Sequence, residues 1–420
     1  MNSSIRRWTK LALFIVLSLT LVVALLSSAC GGAKPAAQVQ KVKVGLSLGF
    51  TGAFASGTGP LSNGVLAYMK YVNDQGGVQY TDPTTGKTEK ALLDIDWQDD
   101  AYDVGKVLSI YETQKTWGAT SEVLVMSPDV LAGVASRDGV PVLSAGNLGG
   151  PSLSEKPIYV TALYPAYIDQ VIAFMQWAKT QQATPPRIAW LALDTPAFQS
   201  AAGGAGMTNA LAQQYGCVFV DRETVEATAS DMTIQLTRIK EANPDWIIVQ
   251  AIPNIISLAQ KDAQLIGMPA SMKFVAITTF SEELIPLIGN ATWYGTTSWA
   301  FGTENSIAGV QFVHQIMNKY YGLPGDTQNA WGVLLAMIEV GAIQKALDTV
   351  GYTNLTPAAM NDALHSLTNF DTMGLTAPIT TTPDYPVCSQ SLKVGVIQGG
   401  KLTGLSDFIP MGRVGLTMPD

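Results

Sequence analysis

The residues of this chain with the most specific chemistry are Ser27-Ser28-Ala29-Cys30, at the end of an apolar run. Arg6, Arg7 and Lys10 precede an apolar and small-residue stretch from Leu11 to Leu26, and Gly31-Gly32 follow the cysteine. This layout predicts a secretory signal, residues 1–29, cut before Cys30, with the cysteine kept as a lipid attachment point. Residues 30–40, small and polar, then form a tether. An uncleaved anchor is the alternative, because the run approaches the roughly 18 residues needed to span a bilayer. Either way the body is extracytoplasmic, in the periplasm or on the cell surface, and held to a membrane.

Other chemistry-bearing residues give weaker signals. There is no Gly-x-Ser-x-Gly elbow and no glycine-rich loop ending in Lys-Ser/Thr. Gly203-Gly204-Ala205-Gly206 suggests a dinucleotide loop, but the last glycine of that fingerprint falls at Asn209, so close packing of a helix start on its sheet is the better reading. Asp99-Asp100 ends a strand, where sequence neighbours face opposite sides; capping the next helix suits the pair better than acid–base work. His314 and His365 lie far apart in helical surroundings, each read as a surface residue, and no metal site or cofactor is expected. Cys217 and Cys388 are read either as a disulfide, which export permits, or as two buried thiols. A net charge of −8 without a basic cluster beyond the leader argues against nucleic acid.

The elements that must position these residues alternate β-rich runs with amphipathic helices, the pattern of parallel sheets covered by helices. Strands are expected at 42–48, 92–97, 122–126 and 140–143, and again at 187–193, 217–220, 246–250, 274–277 and 392–398. Helices are expected from Pro60 to Gly76, then at 103–117, 232–242, 255–266, 307–321, 331–350 and from Thr356-Pro357. With 420 residues, 47% hydrophobic and 14% charged, two well-filled lobes are the natural expectation. One internal echo bears on function. Thr51-Gly52-Ala53-Phe54 and Thr195-Pro196-Ala197-Phe198 each follow the first strand of a strand–loop–helix unit. Ligands in open parallel sheets sit outside the carboxyl ends of strands, so Phe54 and Phe198 are expected on opposite walls of one cleft, unless each only plugs its own loop.

The leader resembles the bacterial lipoprotein lipobox, with Ser27 where Leu or a similar aliphatic is usual. The body resembles the type I periplasmic solute-binding proteins of the branched-chain amino acid (Leu/Ile/Val) group. The resemblance rests on Val44-Gly45-Leu46-Ser47-Leu48, Thr51-Gly52-Ala53-Phe54-Ala55, Asn63-Gly64 and Asn73-Asp74-Gln75-Gly76-Gly77-Val78. It continues through Asp99-Asp100, Gly139-Val140-Pro141-Val142-Leu143-Ser144, Asn243-Pro244-Asp245 and Gly267-Met268. It implies two αβα lobes with parallel central sheets joined by a three-crossing hinge. Carried onto this chain, lobe 1 is 41–162 with 298–368 and lobe 2 is 163–297 with 369–420, the crossings falling near 162, 297 and 368.

The resemblance also implies function: a lipid-anchored component of an ABC importer that closes on a small solute and delivers it to permease subunits with a cytoplasmic ATPase. Its ligand-binding positions fall on Ser127, on Ala145, Gly146 and Asn147, and on the aromatic Phe198 opposite Phe54. The carboxylate that would hold an α-ammonium falls at Thr278, which is not an acid, although Glu282 and Glu283 follow. An amide, aromatic acid or other neutral solute therefore stands beside an amino acid, with Trp331 near the cleft as a stacking surface. An enzyme is disfavoured for want of a catalytic constellation. A ligand sensor that signals to a regulatory partner through the same hinge is the alternative function.

Overall fold

The computed structural model describes residues 39–417, apart from 53, 148–151, 153 and 278. The leader, Cys30 and Thr278 therefore lie outside the described residues.

Two parallel-dominated sheets organise the chain from Lys41 onward. The first contains β1 (Lys41–Leu48), β2 (Val78–Thr81), β3 (Thr88–Asp99), β4 (Ser121–Leu124), β5 (Val142–Asn147) and β6 (Val160–Tyr164), in the order β2-β3-β1-β4-β5-β6. Only the β2–β3 pair is antiparallel. The second contains β7 (Arg187–Leu193), β8 (Val218–Val225), β9 (Trp246–Gln250), β10 (Lys273–Ile277) and β11 (Trp293–Thr297), all parallel. An antiparallel edge of β12 (Ser391–Gln398), β13 (Lys401–Gly404) and β14 (Ile409–Pro410) completes it. Strands such as β9 are buried throughout, because helices cover both faces of a parallel sheet.

Each sheet is the middle of three layers. In the first lobe the Ala55–Asp74 and Thr327–Val350 helices share one core with β1 and β3, while the Val104–Trp117 and Ala132–Asp138 helices cover the other face. In the second, the Thr233–Ala242 and Pro253–Leu265 helices lie on one face and the Tyr167–Thr180 and Asn209–Gln214 helices on the other. The Thr327–Val350 helix is long and apolar enough to cross a membrane, yet it is largely buried as the central helix of the first lobe.

Several expectations need correction. The first helix starts at Ala55, not Pro60, so proline sits inside its second turn. The Thr58 hydroxyl helps hold that turn by donating to the carbonyls of Gly49 and Phe54. Asp99 and Asp100 do not cap the next helix, since Asp103 does, accepting from the Lys106 amide. The central helix begins at Thr327 rather than near Trp331, because Asp326 and Asn329 form a reciprocal capping box. His365 is buried, not a surface residue, and burial lowers its pKa to about 4, so it is neutral. The last passage between lobes, expected near 368, falls at 389–391, because Leu375, Ile379 and Cys388 pack into the first lobe's core before β12 joins the second sheet. Cys217 and Cys388 are two buried free thiols.

Gly203-Gly204 has a packing role. A Cβ on Gly204 would stand 2.6 Å from the Trp190 ring, and its φ of 139° is one that L side chains rarely adopt.

A buried acid pair sits in the first lobe. β1 lies between β3 and β4 in a register that places Gly45 opposite both Asp96 and Glu122. The bare glycine leaves room there for the Glu122 and Gln114 side chains. On the other face of β4 the Ser121 hydroxyl donates to Glu339 of the central helix. Burial raises the Glu339 pKa to about 7. Burial, then the charges of Asp96 and Glu339, pushes Glu122 well above the usual range. Both acids bind protons more tightly folded than unfolded, so their stability contribution is complete below pH 4.5 and lost as pH rises toward the folded pKa. Glu339→Gln should remove part of this slope, by on the order of 3 kcal/mol between pH 4.5 and pH 7. Urea unfolding across that range checks it; an unchanged slope in the variant would show that Glu339 is not protonated in the folded chain.

Candidate functional site

The carboxyl ends of strands from both sheets meet at one cavity of about 190 Å³. Val125 just beyond β4 and Tyr164 at the end of β6 come from the first lobe, and Gln250 and Ile277 at the ends of β9 and β10 from the second. Phe54, Ser56, Gly57 and Thr58 come from the start of the Ala55–Asp74 helix, and Gln328 and Trp331 from the start of the central helix. Opposite them are Phe198, the 251–254 segment at the start of the Pro253–Leu265 helix, and Thr279.

Aromatic rings dominate the walls. Phe54 stacks on Tyr102 with centroids 4.3 Å apart, and Trp331 stacks on Trp299 at 4.4 Å. Phe198 lies 5.1 Å from Tyr167, and Tyr164 lies 6.1 Å from Trp331. Tyr102 has a φ of 58°, a left-handed backbone that is costly for a bulky residue. The acid pair before it holds this conformation. Asp100 accepts from the Tyr102 amide at 2.7 Å and the Ser47 hydroxyl at 2.8 Å. Asp99 accepts from the amides of Phe50, Thr51 and Ala101, and from the Thr51 hydroxyl at 2.7 Å. The carboxylates thereby fix both the loop leading to Phe54 and the ring that stacks on it.

The site carries no formal charge. Among the described residues lining the cavity none is Asp, Glu, Lys, Arg or His. Burial and the nearby Asp100 charge push Tyr102 up to about 12. Burial also raises Tyr164 and Tyr167, whose hydroxyls hydrogen-bond to one another. All three phenols are neutral at ordinary pH. Three buried polar atoms of the lining have no partner among the described residues: Nε2 of Gln250, Nε1 of Trp331 and Oε1 of Gln328. The Gln250 amide is oriented by Trp190, whose Nε1 donates to Oε1 at 3.0 Å. Gly204, by making room for Trp190, thus acts on the site from behind.

Residues 41–401 match the sequence profile of a family described as periplasmic binding protein. The chain belongs to that family. Among curated protein sequences none matches. Solved structures agree on the fold. A branched-chain amino acid ABC transporter protein from Thermus thermophilus with bound valine superposes with a TM-score of 0.73 at 19% identity, covering 89% of this chain and 97% of that one. A fatty acid ABC transporter substrate-binding protein from Thermomonospora curvata gives 0.72 at 18%, covering 90% and 94%. A solute-binding protein from Rhodopseudomonas palustris BisB5, in complex with 3,4-dihydroxybenzoic acid, gives 0.70 at 17%, covering 90% and 99%.

This periplasmic binding protein brings Phe54, Phe198 and Trp331 together at the cavity. Thr278 lies outside the described residues, between the lining residues Ile277 and Thr279. Ser127, Ala145, Gly146 and Asn147 do not line it. Their loops pack on each other instead: a Cβ on Gly146 would meet the Ser127 Cα at 2.9 Å. The Gly146 amide is spent on the Ser144 hydroxyl, which donates to the Met126 carbonyl. Ala145 is buried in the core, and Asn147 pairs with Tyr164 between β5 and β6. Sequence reasoning missed Tyr102, Tyr164, Tyr167, Gln250 and Gln328. The rule that ligands sit at strand carboxyl ends could have found Gln250, the last residue of a correctly bounded strand.

Proposed function

We propose that this chain is the extracytoplasmic solute-binding component of an ABC importer, binding a small solute of amino acid, amide or aromatic acid class between its lobes, and not an enzyme. The observation that carries this reading is that both lobes build the one cavity: Phe54 of the first lobe packs against the core of the second, facing Phe198. A solute touching both walls is fully held only when they are together, so it stabilises the closed state by the difference in contacts. The passages near 162, 297 and 389–391 are where the chain would bend. The structural neighbours support this reading: one holds valine, one is a fatty acid ABC transporter substrate-binding protein, and one is in complex with 3,4-dihydroxybenzoic acid. Cys30 would carry the lipid that holds the protein beside permease subunits driven by a cytoplasmic ATPase.

The test is thermal unfolding and tryptophan fluorescence of the detergent-solubilised full chain, stripped of retained solute and titrated with amino acids, amides and aromatic acids. A cognate solute at a hundredfold excess over its dissociation constant should add about 2.7 kcal/mol of stability. It should also alter emission from Trp331. No response to any member would sink the reading.

A further inference from the structure

We propose, resting on the solute-receptor reading above, that the solute is a monocarboxylate with a flat apolar body and no charged amine. Three independent features of the cavity converge on this chemistry.

The first is charge. With no acid or base in the described lining, with Ala53 and Thr278 as the uncharged neighbours of its loops, and with Asp100 behind Tyr102 spent on the Tyr102 amide and the Ser47 hydroxyl, an ammonium entering the cavity would lose water and find no counter-charge on its walls. The second is the pair of helix starts. The Ala55–Asp74 helix of one lobe and the Pro253–Leu265 helix of the other both begin on the cavity, through Ser56 and Asn254. Neither has a side-chain cap or an acidic residue in its first turn. The amides of Gly57 and Thr58 donate to the Phe54 carbonyl and those of Ile255 and Ile256 to the Ile252 carbonyl, which leaves the Ser56 and Asn254 amides at the positive ends of the two helix dipoles, so an anion between the lobes answers both.

The third is the set of unpartnered buried atoms. Gln250, 1% exposed, and Trp331 line the cavity and each carries a buried donor, Nε2 and Nε1, without an acceptor among the described residues. A carboxylate accepts from both. Gln328, 5% exposed, presents an acceptor at Oε1, which suits one neutral donor, such as a hydroxyl, on the solute body. Stacked ring pairs on the first-lobe side, Phe54 with Tyr102 and Trp331 with Trp299, provide flat apolar faces for that body.

The experiment compares matched compounds by calorimetry and thermal shift on the stripped full chain. The pairs are 3-(4-hydroxyphenyl)propanoate with tyrosine, 3-phenylpropanoate with phenylalanine, phenylacetate with phenylglycine and 4-methylpentanoate with leucine; tyramine is the cation lacking a carboxylate. At least one acid should bind on the order of 100-fold tighter than its α-amino partner, and tyramine should not bind. Gln250→Glu, which keeps shape and reverses the demand, should abolish that acid's binding; Trp331→Phe should weaken it about tenfold while keeping the ring. Preference for the amino acid in every pair, or a bound amine recovered from the purified protein, overturns the inference and leaves the receptor reading standing. If no panel member binds and no molecule is retained through purification, both fall.

Discussion

Gly332→Leu should destabilise the protein by roughly 3–5 kcal/mol, a drop in melting temperature of about 10 °C. Gly332 sits where the central helix crosses the Ala55–Asp74 helix. A Cβ there would overlap the Leu61 carbonyl oxygen and come within 2.9 Å of the Val65 amide nitrogen. The crossing is glycine on both sides, since a Cβ on Gly64 would stand 3.0 Å from the Val333 nitrogen and overlap the Asn329 carbonyl. These atoms are backbone and cannot move aside as a side chain tip would, so the helices must separate. The same helices carry Ser56, Gly57, Gln328 and Trp331 into the cavity, so the damage should extend to solute binding. Gly59→Ala is the control: nothing lies near its Cβ, and helix propensity alone should make it neutral or slightly stabilising. Circular dichroism melts decide it. Equal melting temperatures for Gly332→Leu and the parent would mean the helices do not cross this closely.

Trp331→Ala should cost about 100-fold in solute affinity. The half-buried indole offers one face to the cavity and the other to Trp299 at 4.4 Å with an interplanar angle of 21°. Trp299 is fully buried and fixed by its Nε1, which donates to the Thr327 carbonyl at 2.9 Å, so Trp331 rests on a rigid platform. Truncation removes both the stacking surface and the unpartnered Nε1. Titration with solute recovered from the protein measures the loss, and an unchanged dissociation constant would remove Trp331 from the site. The unliganded variant should lose less stability than a core tryptophan would, because the indole is not fully enclosed.

Legibility differed sharply between local and non-local features. The strand Trp246–Gln250 is legible because the β-prone run Trp246-Ile247-Ile248-Val249 lies between Pro244 and Pro253, and Thr356 is legible as a helix cap. The echo of Phe54 and Phe198 was readable because each lies at the same point of its own strand–loop–helix unit. Tyr102 was missed because its orientation depends on a left-handed backbone held by two carboxylates, which composition does not announce. Asp99 and Asp100 read as helix caps in the sequence because nothing local distinguishes a cap from a loop clamp. The last inter-lobe passage was displaced because the destination of Leu375 and Ile379 is set by a core assembled from distant segments.

Periodicity, caps and turn residues determined the α/β class, most element positions and the resemblance to solute-binding proteins. They suffice because each acts within a few residues, where backbone sterics and burial of one face dictate the outcome. Which loops meet was decided only by the tertiary structure. It seals Gly146 against Ser127, brings Gln250 and Gln328 from opposite lobes to one uncharged cavity, and leaves their amide atoms without protein partners. The reason is that a cavity's charge and hydrogen-bonding demand are sums over residues far apart in the chain, fixed only when the two sheets come to face each other.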